Sequence, residues 1–173
     1  MSAVDSTPTN KNFLSPLNFT FVLKRSPYLN FFVQSINIPS LSLGSFMGPS
    51  PLLNIPYSGD HIEYSNLQVQ FKIDENFQNY MEIFNWIKGL GYPENQTEYQ
   101  YLSKQPKTTG AGLKSEISLI ISDAIKNPNY EIVFTDCFPI DLSEINFQTT
   151  DDSVNYVSAV VTFKYTYFNI MKL

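Results

Sequence analysis

The sequence predicts an α+β domain that is mainly β: an antiparallel sandwich or barrel of about seven strands with one flanking α-helix. Three observations carry that expectation. Apolar residues recur at every second position in several stretches, the spacing of a strand with one wet face. A single stretch, Phe77 to Leu90, shows the three- and four-residue spacing of an amphipathic helix. Aromatic residues make up 15% of the chain, with 14 Phe and 11 Tyr, and such residues favour strands and interfaces.

The elements follow in order. Residues 1–13 are short, mostly polar and aperiodic, and read as a flexible N-terminal arm, either frayed or ordered on a neighbouring subunit. Residues 14–173 read as one β domain. Leu17 to Arg25 is the first strand, with Leu17, Phe19, Phe21 and Leu23 on one face. Ser26-Pro27 marks a turn, and Tyr28 to Ile38 resumes as a strand that is apolar on both faces, including Phe31, Phe32, Val33 and Ile36. Pro39 to Pro56 carries four prolines and two glycines before its last residue is passed, which predicts an irregular loop. That loop is nevertheless greasy, with Leu41, Leu43, Phe46, Met47, Leu52, Leu53 and Ile55, so it either folds back over its own core or is covered by another subunit.

Tyr57 to Asp60 reads as a turn into the strand Leu67 to Ile73, where Gln68, Gln70 and Lys72 mark the wet face. Asp74 is placed to cap the helix that follows, Glu75 and Lys88 suit its two ends, and Gly89 or Gly91 can stop it before Pro93. Tyr92 to Gly112 is a long polar connection, with at most a short helix near Thr97 to Leu102. Leu113–Ser122 and Tyr130–Phe138 form a hairpin around Asp123 to Asn129, and Pro139 ends its second arm. Leu142 to Gln148 is a short strand, Thr149 to Ser153 a turn, and Val154 to Ile170 one long final strand.

Composition and motifs argue against catalysis. The net charge of −5, with charged residues at only 16%, does not suit nucleic-acid binding, which needs clustered Lys and Arg. His61 is the single histidine, and Asp60 beside it on a strand points to the other face, so the pair makes no catalytic dyad. Cys137, the single cysteine, reads as a buried structural residue. Asp151 and Asp152 lack the further oxygen ligands of a calcium loop, and Gly110-Ala111-Gly112 lacks the lysine and hydroxyl of a phosphate loop. No catalytic, cofactor-binding or metal site is expected, and Trp86 reads as core. No run of apolar residues is long enough for a signal peptide or a membrane span, so the glycosylation triplets at Asn18 and Asn95 read as chance.

The order of elements resembles a known family. A Gly-Asp step (Gly59-Asp60) precedes a strand ending in Asp-Glu (Asp74-Glu75), and then comes a helix with Phe-x-x-Tyr-Met-x-x-Phe-x-Trp, from Phe77 to Trp86. Phe138-Pro139, then Leu-Ser-Glu-Ile-x-Phe from Leu142 to Phe147, leads to an aromatic closing strand. With Asn30 to Ser35 and Asn37 to Pro39, this set resembles the tail tube protein family of T4-like contractile-tailed phages over about residues 17 to 170.

The resemblance implies a β-sandwich or barrel with a flanking helix, and six copies in a ring whose hairpins line a channel. It implies a virion protein, made in the host cytoplasm, that guides DNA without sequence-specific binding and meets tube, sheath, terminator or baseplate proteins. Repeating tube subunit, terminator and baseplate adaptor all stay open; the long Tyr92–Gly112 connection and the proline-rich segment suit a terminator or adaptor ring. The competing class is a monomeric ligand-binding β-domain without catalytic activity. Intersubunit contact is expected at Phe31, Phe32, Val33, Ile36, Leu41, Leu43, Phe46, Met47, Leu52 and Leu53.

Overall fold

The computed structural model describes residues 12–91, 96–105, 112–148 and 156–173. They form β1 (Phe19–Leu23), α1 (Pro27–Phe32), β2 (Val33–Asn37), β3 (Leu41–Gly48), β4 (Ile55–Tyr64), β5 (Leu67–Lys72), α2 (Gln78–Gly91), α3 (Thr97–Lys104), β6 (Ser115–Ser122), β7 (Pro128–Leu142), β8 (Ser158–Lys164) and β9 (Tyr167–Lys172). All strand pairs are antiparallel. The main sheet runs β1-β6-β7-β8-β5-β2, with β9 on the free side of the first half of β7. The fold is mainly antiparallel β with helices on its flank, as the sequence predicts. Most of the N-terminal arm, Asn95 of its triplet, Gly110-Ala111, the Asp151-Asp152 pair and the turn around them lie outside the described residues.

Alternation drives the sheet. In β5, Leu67, Val69 and Phe71 are buried while Gln68 and Gln70 face solvent. Ala159, Val161 and Phe163 of β8 face the same core, joined by Ile117 and Leu119 of β6 and Ile132 and Phe134 of β7. Trp86 of α2 sits among them, and its indole N–H donates to the Leu113 carbonyl at 3.2 Å.

β7 is the corner of the molecule. Its first half pairs β6 and β9; its second half pairs β8. An extra residue at Thr135–Asp136 bulges the strand between these halves, and Asp136 takes a left-handed backbone with φ 58°. The opposite chain bends with it: Thr166 N–H donates to the Thr135 carbonyl at 3.0 Å. The final stretch is therefore two strands, β8 and β9, instead of one. Pro139 does not end β7. It is buried within it, beside a second register shift, and β7 runs on to Leu142. The Leu142–Gln148 strand does not form beyond that residue.

Three more expectations give way to local chemistry. Pro27 opens a helix, where its missing N–H costs nothing, so the first part of the expected Tyr28–Ile38 strand is α1. Asn30 on α1 accepts from the Leu23 N–H at 2.8 Å and donates to its carbonyl, closing the end of β1. Asp74 lies too far ahead of Gln78 to cap α2. The junction is clamped by buried Asn79, which donates to the Lys72 carbonyl at 2.8 Å and accepts from the Asp74 N–H. Gly89 does not stop α2. It is a notch for Leu102 of α3, since a Cβ there would lie 2.7 Å from the Leu102 Cδ1. The short helix near Thr97 does form, as α3.

Candidate assembly surface

Leu41 to Tyr64, expected as a loop and a turn, is a β-hairpin arm. Its register continues that of the sheet below: Ser35 pairs Gln70, Asn37 pairs Gln68, Leu41 pairs Tyr64 and Leu43 pairs Ile62 in one unbroken count. Ser65 N–H donates to the Ser40 carbonyl at 3.2 Å, and the two hydroxyls lie 2.6 Å apart, so the ladder passes through the base. The arm is thus the upper half of one ribbon made of β2–β3 and β4–β5. At eight residues, β3 extends it about 26 Å.

The prolines do not prevent this. A two-stranded arm has two edges, so a proline whose missing N–H would point outward is tolerated. Pro56 sits in β4 opposite Met47, while Pro49 and Pro51 lie in the tip.

A bulge divides the arm. Between the Leu43–Ile62 and Ser45–Ser58 pairs, Gly44 alone faces Gly59, Asp60 and His61. A Cβ on Gly59 would meet the Gly44 carbonyl oxygen at 2.7 Å, so only glycine closes the strands there. The bulge also brings His61 Nδ1 within 2.5 Å of Asp60 Oδ1, which strict alternation forbids. Both side chains are 91% exposed, and water around them removes the low-dielectric surroundings that sharpen a dyad.

Every large apolar residue on the arm faces solvent. Leu41, Leu43, Met47 and Ile62 share one face; Phe46 and Tyr57 stack on the other with ring centroids 5.3 Å apart; Leu52 at the tip is 95% exposed. From Ile38 to Gly59 the chain carries no charged side chain. Only the root is fixed to the body, where Tyr64 packs edge-on against Tyr165 and Phe168.

The sequence-derived contact residues divide accordingly. Leu41, Leu43, Phe46 and Met47 lie on β3 and Leu52 and Leu53 at the tip, all exposed. Phe31 and Phe32 belong to α1, where Phe31 is exposed and Phe32 half-buried. Val33 and Ile36 lie on β2 and pack against the core, which corrects their placement on a strand apolar on both faces. Ile55 of β4, counted in the greasy segment, is exposed as well, and sequence reasoning missed Tyr57 and Ile62 of the same strand.

Grooves indent the rest of the described surface. One, between Lys24, Lys114, Glu116 and Asp136, holds ion pairs at 2.9 Å and 3.7 Å. A second is lined by Lys72, Asp74 and Glu75, with Lys72 4.7 Å over the Tyr156 ring. A third contains Arg25 and Lys88. There Arg25 lies 4.6 Å over Trp86, and burial lowers its pKa against the pull of Glu82. Burial likewise raises the Glu82 carboxyl, which accepts from the Ser26 hydroxyl. The fourth, about 500 Å³ between α2 and the far half of β7, is walled by Tyr80, Phe84, Ile87, Ile140 and Leu142. No group of three metal-ligating side chains occurs among the described residues, and Cys137 is buried with its thiol pushed up to about 12.

No protein-family model matches the chain. In fold it is similar to a chain of the extended sheath–tube complex of an extracellular contractile injection system, PVC, at TM-score 0.64 and 12% identity, covering 97% of this chain and 100% of that one. It is also similar to a chain of the PVC sheath/tube terminator (TM-score 0.63, 10% identity, 94% and 99% covered) and of the tube terminating cap of the anti-feeding prophage (TM-score 0.61, 9% identity, 100% of each). At such identities the likeness speaks to the fold. Sequence speaks further: the chain is 30% identical to the tail tube terminator protein of Enterobacteria phage T4 over 146 residues, 80% of this chain and 76% of that protein. The chain belongs to the tail tube terminator protein family.

Proposed function

We propose that this protein closes the end of a contractile tail tube as a ring of six copies, continuing the channel through which DNA leaves the virion. The observation that carries the ring is the arm. An apolar hairpin, uncharged from Ile38 to Gly59 and held to its own body at the root, needs a second surface to cover it. Leu41, Leu43, Phe46, Met47, Leu52 and Leu53, with Phe31 on α1, supply that contact, and Ile55, Tyr57 and Ile62 join them. Sheath and tube proteins are the further partners. The acidic balance, −5 overall, suits a wall that DNA passes without adhering. The protein acts as a structural component of the tail, without catalysis.

Native mass measurement combined with negative-stain imaging of the purified protein tests this reading. Single rings with a central hole are expected. Long stacked tubes would point to a repeating tube subunit, and a monomer at every concentration would overturn the ring.

A further inference from the structure

The arm needs a receptor, and its chemistry selects one. Moving an uncharged hairpin over ionised side chains strips their water with nothing to replace it. The groove at Lys24 and Asp136 and the groove at Arg25 are lined by such groups, and the groove at Lys72 to Glu75 sets three of them beside its apolar walls, Phe32, Ile73, Phe77 and Phe147. The groove between α2 and β7 differs. Its walls are apolar, and its two charged residues, Lys88 and Asp141, have opposite sign. Phe84 and Ile140, from two elements distant in sequence, are each 45% exposed there, with Met81 of α2 41% exposed. The arm has a convex apolar tip, and this groove is a concave apolar surface on the same chain. The arm pairs within itself and is anchored only at Tyr64.

Resting on the ring reading, we propose that the α2–β7 groove receives the arm tip of a second copy of this chain, with Leu52 and Leu53 against Phe84 and Ile140. The contact is heterologous: tip on one copy, groove on the next. Contacts of that kind close into rings when the rotation between copies closes. The tip carries no charge, and the two charges at the groove, Lys88 and Asp141, are of opposite sign.

The test is disulfide trapping in the full-length protein. Leu53→Cys is combined with Ile140→Cys, and in a control with Ser103→Cys in the groove that holds the ion pairs. Native Cys137 is buried and does not compete. Oxidation of assembled protein is expected to give a ladder of covalent oligomers from the Ile140 pair and none from the control. Separately, Phe84→Asp is expected to raise the concentration needed for assembly at least tenfold, with the unfolding midpoint of the isolated chain unchanged. Rings that form without the Ile140 ladder, or with Phe84→Asp assembling as the parent does, overturn the docking site and leave the ring reading standing. A parent chain that never assembles overturns both.

Discussion

Asp136 holds a left-handed backbone at the point where β7 passes from one half of the sheet to the other. Aspartate tolerates that conformation better than most residues, and a β-branched side chain tolerates it poorly. Asp136→Val is therefore expected to cost about 2 kcal/mol in urea denaturation, while Asp136→Gly stays within about 0.5 kcal/mol of the parent. The Lys114 contact adds little to either figure, because that pair is half exposed. The next residue, Cys137, has a different signature. Burial keeps its proton on to about pH 12 in the folded chain, against 9.0 for an ordinary thiol. Between those values the unfolded chain has lost a proton that the folded chain retains, so stability falls as pH rises through this window and is unaffected below it. Cys137→Ala is expected to lose stability at neutral pH through its cavity, yet to show a flatter decline in urea midpoint between about pH 8 and about pH 10.5.

At the scale of elements, the arm is separable from the body. Replacing Ser42 to Glu63 with Asn-Gly leaves Leu41 opposite Tyr64 on a tight turn. The shortened chain is expected to keep its unfolding midpoint within about 1 kcal/mol, measured by denaturation, and to lose self-association, measured by native mass. How far each element was legible in the sequence follows from how it is buried. β5 and α2 bury one face each, so Leu67 to Phe71 and Tyr80 to Trp86 show their period openly. The β6–β7 hairpin was legible because Asp123 makes its turn, its carboxylate accepting from the Ile125 and Asn127 N–H groups. The arm was legible as a greasy exposed segment and illegible as a hairpin. Prolines and glycines that forbid a central strand are permitted on a ribbon with two free edges. α1 was hidden because Phe31 and Phe32 suit a strand as well as a helix, and Pro27 read as a turn when it was a helix start. The α2–β7 groove was out of reach, since no local pattern joins Phe84 to Ile140.

For the whole molecule, the absence of charge from Ile38 to Gly59, the outer part of the arm, sets how association responds to its surroundings. Screening has little to weaken in a contact made by the uncharged stretch Ile38 to Gly59, and apolar association weakens on cooling. Assembly, followed by light scattering, is expected to persist or strengthen when salt rises to about 1 M and to recede near 4 °C. The choice between tube subunit and terminator did not come from any motif in the chain; the T4 relative is what favours the terminator. The ribbon has one further consequence. Because the register of the β2–β5 pair continues into the β3–β4 pair, the arm is a cantilever built onto the edge of the sheet, with its compliance gathered at Gly44 and Gly59. A load at the tip bends that joint before it disturbs Tyr64 or the aromatic cluster at the root. In the proposed ring, a neighbour seated a few ångström out of true would be met by deflection of the tip, with the sheet below left undisturbed.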